Sequence, residues 1–126
     1  MKLSRGPKSP KTTADAFMQA RRDILDTIQR IPKGKVASYS QVAFAAGWPG
    51  RQRLVARVLG DVPVGYETLP WWRVINAQGK VAIPKDSPGH LQQIRLLKAE
   101  GVVFLNGKVS FASHGWQPAD ASPLLD

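Results

Sequence analysis

Cysteine is absent from the 126 residues. That excludes a disulfide framework, a thiolate nucleophile and every thiolate metal site. Histidine is nearly as scarce. His90 and His114 are the only two, too few and too far apart in sequence to suggest a metal cage, so neither metal nor cofactor is expected. No apolar run approaches the roughly 20 residues of a membrane span, and the N-terminus lacks the apolar block of a signal peptide. An intracellular, cytoplasmic protein is expected, nucleoid-associated if bacterial, with no membrane partner.

Acid is also in short supply. Against 18 Lys and Arg stand 9 Asp and Glu, for a formal charge of +9. Between Asp26 and Asp61 there is no acid, yet Arg30, Lys33, Lys35, Arg51, Arg53 and Arg57 all fall there. A solvated face ordinarily mixes signs, and a run of cations without counter-charge suits phosphates. These cations are spread over helices, turns and loops. They are not gathered on one amphipathic helix, so nucleic acid fits better than a membrane surface.

What remains is enough for one domain. Apolar residues make up 43% of the chain, which excludes a wholly disordered protein, and the length supports one modest core. Residues 1–13 read MKLSRGPKSPKTT, basic and poor in apolar surface, and are expected to form a flexible arm. A body over residues 14–118 and a flexible tail over 119–126 follow. Nothing demands more than a monomer.

Within the body, Phe17, Ala20, Ile24, Ile28 and Ile31 recur at helical spacing, predicting a helix from Ala14 to Ile31 capped by Thr13. A short helix beginning at Ser38 or Tyr39 runs through Ala46, with Gly47 ending it. A third, about Arg51 to Leu59, buries Leu54, Val55, Val58 and Leu59. Two short helices joined by Trp48-Pro49-Gly50 suggest a helix-turn-helix. On the second of them Arg53, Ala56 and Arg57 share the face opposite the apolar stripe, and the small Ala56 would let DNA approach the backbone. An ordinary two-helix core element with exposed arginines is equally open at this point. Leu69 to Ile75 is an aromatic and β-branched run followed by the turn Asn76-Ala77-Gln78-Gly79. Ser87-Pro88 opens a helix in cap-then-proline order, its inner face read as Leu91, Ile94 and Leu97. Val102 to Phe111 forms two short strands around Asn106-Gly107, a strong hairpin signal. The expected fold is therefore mainly α with a small β-hairpin wing, a winged helix-turn-helix. After Ala112 only Trp116 offers an anchor. Ser87-Pro88-Gly89-His90 reads as a helix cap with a surface histidine and not as a nucleophile and its base.

Several blocks follow in one order: Ile31-Pro32-Lys33-Gly34-Lys35-Val36-Ala37-Ser38-Tyr39-Ser40-Gln41-Val42-Ala43, Gly47-Trp48-Pro49, Arg53-Leu54-Val55-Ala56, Leu69-Pro70-Trp71-Trp72-Arg73-Val74-Ile75 and Leu96-Leu97-Lys98-Ala99-Glu100-Gly101. Over about Phe17 to Phe111 this resembles the DNA-binding domain of the O6-alkylguanine-DNA alkyltransferases. In those enzymes the fourth block reads Pro-Cys-His-Arg-Val, and its cysteine accepts the alkyl group. Here Trp71 stands at the cysteine position and Trp72 at that of the assisting histidine. An indole offers no thiolate. The chain is thus similar to the alkyltransferase-like proteins, which bind alkylated guanine without repairing it, and no catalytic residue is expected.

By that resemblance Tyr39 crowds the target phosphate and helps rotate the nucleotide outward. Arg53 is the finger that fills the vacated gap. Trp71 floors the lesion pocket, and carbonyls near Trp71 and Val74 accept from the guanine amino group. The remaining DNA-contacting set is expected to be Lys33, Lys35, Ser38, Arg51, Ala56, Arg57 and Arg73. Glu100, behind the family's Cys-His pair, is expected to be structural, and Trp72 to be drift or added packing. The family's Tyr-Ser-Gly-Gly loop is replaced by Ile83-Pro84-Lys85-Asp86-Ser87-Pro88-Gly89, so no donor to the alkylated oxygen is assigned. The partners implied are duplex DNA with O6-alkylguanine and proteins of nucleotide excision repair. A sequence-specific winged-helix regulator, or an enzyme using another residue, are the rival classes.

If about six cations of the acid-free stretch engage phosphates, log K for duplex DNA should fall against log salt with a slope near −5. Fluorescence titration across a salt series measures this, and a slope near zero would contradict the phosphate reading.

Overall fold

The first helix starts one residue earlier than its apolar spacing suggests. In the computed structural model, which describes residues 12–118, α1 spans Thr13–Gln29 and Thr12, not Thr13, is its cap. The Asp15 amide donates to Thr12 Oγ1 over 2.9 Å. The expected arm therefore gives up Thr12 and Thr13 to the domain. The rest of that arm, and the expected tail, lie outside the described residues. The helix ends before Ile31, with Arg30 as its C-cap, but Ile31 is still buried.

Next come β1 (Ala37–Ser38), α2 (Tyr39–Ala45) and α3 (Gln52–Leu59). A capping box starts α2: Ser38 Oγ accepts from the Gln41 amide, while the Gln41 side chain accepts from the Ser38 amide. Gly47, at φ +88°, lets the chain leave the helix. Arg51 is the cap residue of α3 and not its first turn. The three helices share one core, which includes Ile24, Ile28, Val42, Ala43, Val55 and Val58, all essentially inaccessible to solvent. Leu59 is only partly buried against it.

The run from Leu69 to Ile75 divides. Trp71–Arg73 forms a 3₁₀ turn, and Val74–Ile75 forms β2, which pairs in parallel with β1 in the register Ala37 to Val74 and Ser38 to Ile75. This two-residue sheet was not anticipated, and it places the start of α2 beside the Trp71 turn. α4 covers Pro88–Ala99. Ser87 occupies its cap position, but its hydroxyl donates to the Pro84 carbonyl and accepts from no amide of the helix. Leu91, expected inside, is half exposed, whereas Gln93 is buried at 2% exposure beside Leu97.

β3 (Phe104–Leu105) and β4 (Lys108–Val109) form the expected hairpin. Asn106 and Gly107 both lie at positive φ, the signature of its tight turn. Its inner side joins Val36, Ile75 and Leu97 in a second core, against which Trp72 packs. A short α5 (Phe111–His114) follows. The chain then returns to the body, where the Trp116 amide donates to the Val36 carbonyl. Gln41 Nε2 donates to the Trp116 carbonyl, so the Trp116 anchor is tied by backbone as well as by burial. The result is the helix-turn-helix domain with a hairpin that the sequence led us to expect. Among the described residues no helix is long and apolar enough to cross a membrane.

Candidate nucleic-acid interface

Pairing of β1 with β2 brings Tyr39, at the first turn of α2, opposite the Trp71 turn. Between them lies a cavity of about 430 Å³, walled by Tyr39, Ala56, Trp71, Val74, Ile83 and Gln93 among others. That volume falls within the roughly 300–1,000 Å³ usual for small-molecule sites. A second, more open groove of about 490 Å³ adjoins it, sharing Tyr39, Ala56 and Ile83 and adding Arg53 and Gln52. The residues Tyr39, Trp71 and Val74, far apart in sequence, thus line one cavity, and Arg53 stands at its approach. Burial pushes the Tyr39 phenol up from its ordinary value. It stays protonated at neutral pH and keeps an O–H to donate.

Beyond Arg53 runs a cationic cleft of about 560 Å³ bounded by Gly50, Arg51, Gln52, Arg53, Leu54 and Arg57. Two of its guanidinium groups rest on aromatic rings. Arg57 lies 4.7 Å from the Phe17 ring centre, and Arg51 lies 5.9 Å from that of Trp48, within cation–π range. Trp48 is itself held by donation from Nε1 to Asp23 over 2.8 Å. Lys33 and Lys35 sit on the turn after α1 and line neither the cavity nor the groove.

Two expected DNA contacts are engaged elsewhere. Ser38 is buried, and its hydroxyl caps α2. Arg73 points into the fold. Its Nη2 donates to Glu100 Oε2 over 2.6 Å, its Nε also donates to that carboxylate, and its Nη1 donates to the Ile31 carbonyl over 2.7 Å. The Arg73 and Glu100 side chains are 14% and 9% exposed. Arg73 is a structural cation.

Glu100 has two further donors. The Gly34 amide reaches Oε1 over 3.0 Å, and Trp72 Nε1 reaches Oε2 over 2.9 Å. Trp72 is therefore more than packing: from the position assigned to the assisting histidine, its ring N–H donates to the glutamate behind. Trp71 and Trp72 meet edge to face at 5.9 Å. One faces the cavity and helical core, the other the hairpin core.

The loop that replaces the family's Tyr-Ser-Gly-Gly supplies Ile83 to both cavity and groove. His90 Nδ1 lies 2.8 Å from the Ile83 carbonyl, the acceptor of this pair. Gln93 escaped the sequence reading because Leu91 set the phase of the helix wrongly. Phasing on Leu97 and Glu100 instead would have placed Gln93 inward, at i, i+4 and i+7.

A helix-turn-helix with an arginine-lined second helix, next to an aromatic-walled cavity, defines a class of domain suited to nucleic acid. The chain belongs to the family described as 6-O-methylguanine DNA methyltransferase, DNA binding domain, whose model matches residues 19–102. It is 43% identical over 97 residues to a DNA base-flipping protein of Vibrio parahaemolyticus, spanning 75% of this chain and 93% of that one. It is 31% identical over 101 residues to Alkyltransferase-like protein 1 of Schizosaccharomyces pombe, over 75% and 92% of the two chains. The crystal structure of S. pombe Atl1 in complex with damaged DNA containing O6-carboxymethylguanine is similar at a TM-score of 0.72 and 27% identity, covering 80% of this chain and 97% of that one.

Burial alone would raise the Glu100 carboxyl. The hydrogen bonds from Arg73, Gly34 and Trp72, with the Arg73 charge, outweigh it and hold the group below its ordinary value. A lowered folded value means that the carboxylate stabilises the fold above the ordinary carboxylate range. That contribution is lost as pH falls through the folded value. Glu100→Gln should therefore lower stability by about 3 kcal/mol at neutral pH. The gap from wild type should close in acid, as read by urea unfolding across pH; a gap independent of pH would contradict the assignment.

Proposed function

We propose that this protein binds duplex DNA containing O6-alkylguanine and turns the damaged nucleotide into the Trp71-floored cavity. It leaves the alkyl group in place and flags the lesion for nucleotide excision repair. The observation that carries the reading is the juxtaposition of that cavity, lined by Tyr39, Trp71 and Val74, with the groove on which Arg53 stands. The relatives named for base flipping and the complex of S. pombe Atl1 with alkylated DNA support it.

The energetics follow from the lesion. Alkylation at O6 leaves guanine without its N1 proton and weakens pairing with cytosine, so extrusion costs less than the few kcal/mol of an intact pair. Arg53 offsets part of that cost by filling the gap. Contact of the base with Trp71 adds on the order of 1–3 kcal/mol, by analogy with base–aromatic stacking. Tyr39 donates to the crowded phosphate, and Arg51 and Arg57 hold the neighbouring backbone. Without cysteine there is no thiolate to receive the alkyl group. The complex is then reversible, and its lifetime is the signal.

Titration with duplexes that differ only in guanine or O6-methylguanine should show a preference of at least about tenfold, or 1.4 kcal/mol. That preference should shrink in Arg53→Ala and in Trp71→Ala. Equal affinity for the two duplexes would leave a general DNA-binding domain. Cells lacking the protein should excise bulky O6-alkylguanine more slowly, and an unchanged rate would remove the signalling role.

A further inference from the structure

Gln93 is the buried polar side chain that lines the cavity, at 2% exposure. Its Nε2 donates to the Trp72 carbonyl over 3.0 Å and to the Val74 carbonyl over 2.9 Å. A primary amide has two N–H donors, and both are used. The opposite orientation of the amide would set its oxygen against two carbonyl oxygens, so the assignment of nitrogen and oxygen follows from the partners. Oε1 is therefore fixed as an acceptor, and among the described residues no group donates to it. An acceptor buried without a partner is costly, and such groups are satisfied by water or by ligand.

We infer that Gln93 Oε1 reads the 2-amino group of the flipped base, and the inference rests on the lesion-binding reading above. An O6-alkylguanine has no proton on N1, and its O6 is an ether oxygen. The exocyclic 2-amino group is the one N–H donor the base retains. The resemblance assigns this amine to carbonyls near Trp71 and Val74. The Val74 carbonyl already receives one bond from Gln93, whereas Oε1 receives none and is a further acceptor for the second N–H of the amine. Gln93 is thus a specificity residue for 2-aminopurines bearing an alkyl ether. Purines without the amine leave Oε1 unpaired, and a site built around a hydrogen bond rejects analogues that lack it.

Three duplexes test this, carrying guanine, O6-methylguanine or O6-methylhypoxanthine (the last lacking the 2-amino group) at one site. Wild type should bind the O6-methylhypoxanthine duplex at least tenfold more weakly than the O6-methylguanine duplex. Loss of the amine also weakens the base pair and eases extrusion, which works against that difference. Gln93→Lys keeps donors for the two carbonyls but removes the acceptor, and Gln93→Met removes both. Either variant, once its thermal unfolding transition confirms a folded domain, should lower the ratio severalfold. Equal binding of the two methylated purines by wild type would overturn the inference without any variant and leave Oε1 to water. A folded variant that keeps the full ratio would overturn it too, and assign the amine to another acceptor. If guanine and O6-methylguanine bind alike, the lesion-binding reading itself falls; if only the two methylated purines bind alike, it stands and Gln93 has no part in it.

Discussion

The carboxylate of Glu100 carries an unfavourable placement that the rest of the fold compensates. It lies at the C-terminal end of α4, where the helix dipole disfavours an anion, and it is largely shielded from water. Its donors come from three other places: the Gly34 turn after α1, the indole of Trp72 and the guanidinium of Arg73. Arg73 also reaches the Ile31 carbonyl. One anion, with the Arg73 it holds, therefore joins the turn after α1, the 3₁₀ turn and the end of α4. Gly34 takes part because it sits at φ +83°, where a Cβ would stand 3.3 Å from the Glu100 backbone carbonyl and any side chain would be strained.

The same cluster sets the floor of the cavity. Consecutive residues in the 3₁₀ turn point to different sides, so holding Trp72 by its Nε1 and Arg73 by its fork directs Trp71 the other way, into the wall shared with Tyr39. Pairing of β1 with β2 supplies the second constraint, because Tyr39 follows Ser38 directly and Ser38 is in register with Ile75. Gln93 is the third, bridging the Trp72 and Val74 carbonyls from α4. In the proposed reading this explains how a chain with tryptophan at both the nucleophile and the assistant positions keeps the pocket. Trp71 replaces the chemistry with surface. Trp72 retains a ring N–H for the glutamate behind it.

Helices α1 to α3 were legible because their apolar residues recur at one period and their ends carry local signals, such as the Ser38–Gln41 box and Gly47. The hairpin was legible from Asn106-Gly107. These are short-range effects, written within a few residues. The parallel pairing of β1 and β2 has no such signature, since two-residue strands show no alternation and the partners lie far apart in the chain. Arg73 was misjudged, and Gln93 passed over, for a related reason. A charged or amide side chain reads as solvent-facing until its partners are known, and theirs are Glu100 and Ile31, and Trp72 and Val74. Of the candidate site, Tyr39, Trp71, Val74 and Arg53 were legible by position within matched blocks; the loop residue Ile83 was not, because that loop departs from the family's sequence.

The arginines divide by how they are held, and the division bears on what each can do. Arg73 is immobilised inside the fold, where Nε, Nη1 and Nη2 each donate to a protein acceptor. Arg51 and Arg57 each hold the guanidinium over an aromatic ring, 5.9 and 4.7 Å from its centre. A cation–π contact leaves N–H donors available, so in the proposed reading these two are positioned for phosphates at little further entropic cost. Arg53, among the described residues, has neither a hydrogen bond nor a ring beneath it, and its side chain retains its rotamer freedom at the mouth of the groove. A phosphate anchor benefits from being held in advance. In the proposed reading Arg53 swings into a gap opened by base extrusion and benefits from the reverse, since a guanidinium held over a ring would have to give up that contact before it could move. The cap and the first two turns of α3 thus supply positioned cations, Arg51 and Arg57, on either side of one that is left able to move.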